Sequence, residues 1–320
     1  MTCYDVFNGD ADGICALHQL RLAEPLESIL VTGVKRDIAL LDRVEAAAGD
    51  RITVLDVSLD KNRGALERNL EAGATILYVD HHFAGEIPRH PSLHALIDTD
   101  PATCTSLLVD AHLGGTHRSW AVTAAFGDNL YESARRAAEP LGLSEAQLES
   151  LRELGTLINY NGYGAAIEDL WFPPDELYRL IRPFADPFAF MAEEPAFRRL
   201  KEGFAEDREK AGAVEPHIEE DCMAVYLFPA EPWARRVSGV HANELARDFP
   251  DRAHALLTGK PEGGYVVSVR APVNNRTGAD ELCRRFPTGG GRKAAAGINH
   301  LPEEALDDFV AAMREQYCAS

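Results

Sequence analysis

The stretch CYDVFNGDADGICALHQL, residues 3–20, runs from an apolar segment through a turn rich in glycine and aspartate into a helical apolar pattern. CYDVF has the length and composition of a strand, and the residues after the turn recur at helical spacing. The turn places Asp10 and Asp12 two positions apart. Two nearby carboxylates repel each other, and a strand-to-helix turn does not need both. A compensating charge is therefore expected at this point of the fold.

The same alternation continues along the chain. Further strand-like runs stand at 28–34, 52–57, 75–79 and 94–97, separated by the helical patterns ALHQLRLA, LLDRVEAAA and GALERNLEAG, the last ending at Gly73 as a C-cap. Short strands joined by single helices imply right-handed crossovers and a doubly wound, mainly parallel sheet. Residues 104–210 read as mainly helical, with Ser144 capping SEAQLESLRELGTLI. The charged stretch RRLKEGFAEDREKAG reads as a solvated helix or linker. Strands return in CMAVYLF, AHALLTG and GYVVSVRAP, with KPEGG as a turn, followed by helix GADELCRRF, the glycine-rich TGGGRKAAAG and a last helix in PEEALDDFVAAMREQY. The expectation is an α/β fold: a domain over 1–190, a helical linker over 191–215, and a smaller α+β domain over 216–320.

Composition narrows the function. The 320 residues are 46% hydrophobic and 26% charged, an ordinary globular balance, and no run approaches a membrane span. The start MTCYDVFNGDAD lacks the basic region of a signal peptide, and the six cysteines show no CxxC spacing. They read as reduced, mostly buried thiols of a cytoplasmic protein. The net charge of −19 argues against binding long duplex nucleic acid, which is usually gripped by a basic face. Residues 1–215 hold 36 acidic and 20 basic side chains, net −16; residues 216–320 hold 15 and 12, net −3. Anionic ligands are thus expected at the C-terminal part, or at metal ions seated in the acidic part.

In an open parallel sheet, ligands bind beyond the carboxyl ends of the strands. The first strand delivers Asp10 and Asp12 there, ITVLDV delivers Asp56, and TILYV delivers Asp80, His81 and His82. At least four carboxylates and two imidazoles converging on one edge call for multivalent cations. NGDADG also brushes against an EF-hand loop, but its first position is Asn8, its twelfth is Gln19, and it follows a strand rather than a helix. Carboxylate and imidazole ligands without cysteine suit Mn²⁺ or Mg²⁺. There are enough of them for two ions about 3.5–4 Å apart, an arrangement that hydrolyses phosphate esters.

These residues resemble a known family. VDHH at 79–82 matches the signature of the DHH phosphoesterases, GDADG at 9–13 is similar to their first motif and LDVS at 55–58 to their second. SVRAP and TGGGRKAAAG resemble the DHHA1 substrate-binding domain, whose usual form is a GGGH run followed by AAG. The resemblance implies that Asp10 and Asp56 bind one Mn²⁺, and that Asp12, Asp56 and His81 bind a second with Asp56 as the bridge. It also implies a fourth-motif aspartate, for which Asp128 in AAFGDNL is the candidate, although Asp128 reads equally well as the N-cap of ESARRAAEPL. His82 would contact the scissile phosphate and Asp80 would orient a histidine. Asp60 could assist, although a helix cap is the simpler reading.

Two departures stand out. The family places a histidine four residues before the first motif aspartate, or an aspartate two before it; this chain has Val6 and Asn8. Arg292, followed by Lys293, replaces the histidine after Gly289, Gly290 and Gly291. Those glycines, with Arg270, Arg276 and Arg292, form the expected phosphate grip.

The expected function is a cytoplasmic, Mn²⁺-dependent phosphoesterase, with its site between two domains that open and close, acting on short single-stranded oligonucleotides, nucleoside bisphosphates or cyclic dinucleotides. A homodimer is compatible with this reading and a membrane role is not. The alternatives are a single-strand exonuclease, a polyphosphatase or pyrophosphatase, and a nucleotide sensor that binds without hydrolysis.

Overall fold

Five strands of the computed structural model, which describes residues 1–318, form the sheet that carries the acidic turns. The strands are β1 (Cys3–Phe7), β2 (Ile29–Val31), β3 (Arg51–Leu55), β4 (Thr75–Asp80) and β5 (Leu93–Ile97). Their order is β2-β1-β3-β4-β5 and every pairing is parallel. Helices α1 (Ala11–Ala23) and α2 (Leu59–Glu71) follow β1 and β3. Val6, Ile52, Val54, Ile76 and Tyr78 pack with Leu59, Leu66 and Leu70 of α2. Phe7, Leu55 and Val79, adjacent in sequence to that set, are equally buried and point to the opposite face. The helix α1 is buried from Ala11 to Arg21, because α3 (Thr105–His112), α4 (Arg118–Gly127) and α6 (Glu145–Asn161) pack over it. The remaining helices of this unit are α5 (Tyr131–Ala138), α7 (Pro174–Ile181), α8 (Pro187–Glu193) and the start of α9 (Pro195–Gly212). Ser144 caps α6 through a reciprocal bond pair with Gln147, and Gly73 takes φ +91° just past α2.

One expected helix is absent. LLDRVEAAA forms only a short 3₁₀ turn at Leu40–Arg43. The side chains of α2 take over its backbone groups: Asn62 Oδ1 accepts from Leu41 N at 3.1 Å, and Asn69 Oδ1 accepts from Ala46 N at 2.9 Å. Asn69 Nδ2 also donates to Val44 O at 3.2 Å. Those bonds are incompatible with a helical ladder over the same residues.

The chain divides into two compact units, Met1–Glu202 and the part from Gly203 onward. The second holds a six-stranded sheet of order β10-β11-β9-β8-β7-β6. Its strands are β6 (Ile218–Glu219), β7 (Met223–Phe228), β8 (Ala253–Gly259), β9 (Tyr265–Arg270), β10 (Gly289–Arg292) and β11 (Ala295–Leu301). Only β7 and β8 are parallel, joined through α10 (Pro232–Asp248). The sequence reading passed over α10, although Pro232 at its first turn is a start signal. Trp233, Ala234, Val237 and Leu245 of α10 cover one face of the sheet; α11 (Ala279–Cys283) and α12 (Leu306–Cys318) cover the other.

The cysteine reading needs a correction. Cys222, just before β7, and Cys318, the last residue of α12, form a disulfide with Cα atoms 5.4 Å apart across 96 residues of sequence. Packing of α12 against β7 brings them together, which spacing along the chain could not show. Cys3, Cys15, Cys104 and Cys283 are buried free thiols. Among the described residues no helix is long and apolar enough to cross a membrane.

Candidate metal centre

The acidic groups gather at the carboxyl edge of the parallel sheet. Asp10 is the N-cap of α1: its Oδ1 accepts from the backbone N–H groups of Asp12 at 3.0 Å and Gly13 at 3.1 Å. Asp12, two residues later in the first turn of α1, points to the start of α3. Its two oxygens accept from Thr105 N and Ser106 N, both at 2.7 Å. Asp56 follows β3 in the left-handed region, at φ +60°, with its N–H donated to Val79 O at 3.1 Å. Asp56 Oδ1 accepts from Thr105 Oγ1 at 3.2 Å. Asp128 sits at the C-terminus of α4, not at the N-cap of α5, which is Leu130. The cap reading of Asp128 is thereby excluded, and its carboxylate faces the cluster. Asp60 lies in the first turn of α2, whose N-cap is Ser58.

His81 decides what the cluster can hold. Its Nδ1 is 3.1 Å from Thr103 O; a carbonyl only accepts, so Nδ1 donates and Nε2 is the nitrogen turned to the carboxylates. That Nε2 lies 3.5 Å from Asp56 Oδ1, 3.7 Å from Asp128 Oδ2 and 3.9 Å from Asp12 Oδ2. Adjacent ligands of an octahedral ion bound at about 2.1 Å are about 3.0 Å apart, so small side-chain shifts close this set on a divalent cation. Burial, followed by the charges of Asp10, Asp12, Asp128 and Asp80, pushes the Asp56 carboxyl well above the usual carboxylate range. Burial likewise raises Asp128, with Asp10 and Asp12 adding to it against Lys35. An inward-facing set of three carboxylates and one imidazole nitrogen fits Mn²⁺ or Mg²⁺.

His82 is arranged differently. Its Nδ1 donates to Asp80 Oδ1 at 2.7 Å, and that bond raises the imidazole pKa. Asp80 is fully buried while the His82 side chain is 47% exposed, so the pair presents the His82 Nε2 outward beside the cluster. The next residue, Phe83, is 73% exposed.

Sequence reasoning missed Lys35. Its Nζ lies 2.5 Å from Asp10 Oδ2, 3.2 Å from Asp128 Oδ1 and 3.0 Å from Asn159 Oδ1. Burial works against the charged ammonium, but Asp10, Tyr163 and Asp128 hold its pKa well above normal. In turn, Lys35 offsets the burial of Asp10 and brings its carboxyl below the usual value. Of the five expected ligands, Asp12, His81 and Asp128 form one group and Asp56 joins His81 and His82 in a second, while Asp10 is engaged by Lys35 and the helix.

The expected phosphate-binding residues lie in the second unit. Arg270 and Arg292 each stand opposite Ala295, on β9 and β10 either side of β11. Registered residues share a sheet face, so the two arginines are roughly 10 Å apart on one face. Arg270 Nε donates to Asn243 Oδ1 at 2.6 Å; Arg276, in the loop after β9, donates to Val273 O. Arg284 pairs with Asp280 and Arg285 with Glu315. The three glycines lie in edge strand β10. A Cβ at Gly289 would overlap the carbonyl of Cys283, and one at Gly291 the backbone of Ala296, whereas Gly290 has open space. Packing therefore accounts for two of the three glycines.

No protein-family model matches the sequence and no curated protein sequence matches it. Solved structures do match. A RecJ exonuclease bound to manganese is 18% identical, with all of this chain and 90% of that one covered, at TM-score 0.64. RecJ with Mn²⁺ from Thermus thermophilus is also 18% identical at TM-score 0.64, covering 98% of this chain and 51% of that one. The fold is that of the RecJ exonucleases. PggH, a pGpG-specific phosphodiesterase from Vibrio cholerae, is 15% identical at TM-score 0.57, with 99% and 98% covered.

Proposed function

We propose that the protein is a divalent-metal-dependent phosphoesterase of the DHH type that hydrolyses small phosphorylated substrates such as short oligonucleotides, nucleoside bisphosphates or cyclic dinucleotides. The observation that carries this reading is the placement of Asp12, Asp56 and Asp128 carboxylate oxygens within 3.9 Å of His81 Nε2, with His82 beside them. A bound divalent ion, Mn²⁺ by preference, supplies an activated water and neutralises charge on the phosphoryl oxygens. Thr105 and Ser106 keep the Asp12 carboxylate aimed, and Thr103 fixes the His81 tautomer. His82 donates from Nε2 to the phosphate, and buried Asp80 orients it and raises its pKa. Phe83 offers a ring on which a base can stack. Arg270 and Arg292, on one face of the second unit's sheet, are proposed contacts for an anionic group, with Arg276 nearby in sequence. A second ion between Asp10 and Asp56, as the sequence resemblance implies, requires Lys35 to leave Asp10.

The solved relatives support the reaction type: one is an exonuclease and one is specific for a dinucleotide. The net charge of −19 favours the small substrate over a long strand. Product release is to be measured with and without Mn²⁺ on a di- to pentaribonucleotide, a nucleoside 3′,5′-bisphosphate, a cyclic dinucleotide, longer single-stranded DNA and polyphosphate. Manganese-dependent cleavage of a small nucleotide is the expected result, lost in Asp56→Ala and His81→Ala while the fold persists. Processive cleavage of the long strand would instead assign an exonuclease, and tight binding without turnover a sensor.

A further inference from the structure

Lys35 enters the acidic cluster from the loop after β2, and its position is fixed at every level. An ammonium has three donors, and here Asp10, Asp128 and Asn159 each accept from Nζ, with the Tyr163 ring centroid 5.6 Å away. Its backbone is held on both sides: Lys35 N donates to Gly162 O at 2.9 Å, and Lys35 O accepts from Asn8 Nδ2 at 3.1 Å. Gly9 lets that loop come close, since a Cβ there would overlap the carbonyl of Gly33. Asn8, two residues before Asp10, holds through its bond to Lys35 O the loop that carries the lysine. The remaining oxygen of Asp10 is taken by two N–H groups of α1. Asp10 therefore has donors on both of its oxygens.

We propose that Lys35 is a built-in cation that takes the place of one divalent ion, so that the centre works with a single ion held by Asp12, Asp56, His81 and Asp128. The inference rests on the metal-dependent reading above and narrows it. A lysine at this place contributes fixed positive charge beside the phosphoryl group without depending on metal supply, as electrostatic preorganisation requires. Asn8 and Lys35 act together: the amide fixes the loop from which the lysine reaches Asp10.

The test counts ions rather than turnovers. Metal-stripped full-length protein is titrated with Mn²⁺ by calorimetry, and electron paramagnetic resonance distinguishes single ions from spin-coupled pairs. Wild type is expected to bind one ion per chain with an uncoupled spectrum, and Lys35→Arg to do the same. Lys35→Met and Lys35→Gln remove the charge and are expected to bind two, with a coupled spectrum. Two coupled ions in the wild type would overturn the proposal, as would single occupancy in both neutral variants with the fold intact by circular dichroism. Single occupancy in the wild type and double in the variants would uphold it even if no substrate on the panel were cleaved, an outcome that removes the phosphoesterase reading alone.

Discussion

Asp56 combines an unfavourable backbone with an unfavourable charge. A non-glycine residue at φ +60° is uncommon, with aspartate and asparagine the side chains that tolerate it best. Its buried carboxyl faces four others, which is why its pKa is displaced so far upward. Asparagine keeps the shape and the backbone preference but removes the charge. Asp56→Asn is therefore expected to raise the melting temperature of metal-stripped protein by several degrees while abolishing the further rise that Mn²⁺ gives wild type. Differential scanning fluorimetry with and without Mn²⁺ checks both; an unchanged or lower metal-free midpoint would contradict the account. Residues of this kind were legible in the sequence, because Asp10, Asp12, Asp56, His81 and His82 follow apolar strands directly. Lys35 was not. It sits in VKRD among other charges, and its partners are 25, 93 and 124 residues away. Only the tertiary fold sets where so long a side chain ends.

At the scale of elements, strands were read well because a buried parallel strand is a continuous apolar run bounded by turns. β1 and β8 stand where the runs CYDVF and AHALLTG placed them. Helical periodicity misled at LLDRVEAAA, where the pattern satisfies an amphipathic helix but the neighbouring helix supplies the hydrogen bonds instead. Asn69 is the centre of that arrangement, bonded to Ala46 N, Val44 O and Ala65 O while 1% exposed. Asn69→Leu keeps the volume but leaves a buried N–H and a buried carbonyl unpaired. The expected cost is about 1–3 kcal/mol, read as a lower urea midpoint at unchanged slope. An unchanged midpoint would mean that the segment 40–46 is held by its apolar contacts alone.

For the whole molecule, what the sequence did not disclose are links between distant segments: the Cys222–Cys318 bond, the Asp12 caps on α3, and Lys35. The acid response belongs to the same scale, because each unit buries a histidine in its neutral form. His18, in α1, has its pKa lowered to about 4 chiefly by burial, with Nε2 bonded to Phe184 O at 2.8 Å. His254, in β8, is lowered to about 4 by burial first and the Arg252 charge second. The unfolded chain protonates these rings near pH 6.5, so between about 6.5 and 4 it binds more protons than the native state, and stability falls as pH drops through that window. The loss approaches on the order of 3 kcal/mol for each ring at the lower end. In the first unit the raised pKa of Asp56 opposes this trend, because protonation there relieves repulsion. The second unit has no such carboxylate cluster among its described residues, so His254 gives the cleaner signal. His254→Leu is expected to leave the urea midpoint at pH 7.5 little changed or higher, and to flatten its decline between pH 6.5 and 4.5. A variant whose decline runs parallel to wild type would place the acid sensitivity elsewhere, in the salt bridges of Glu220 with Arg314 or Glu219 with Arg252.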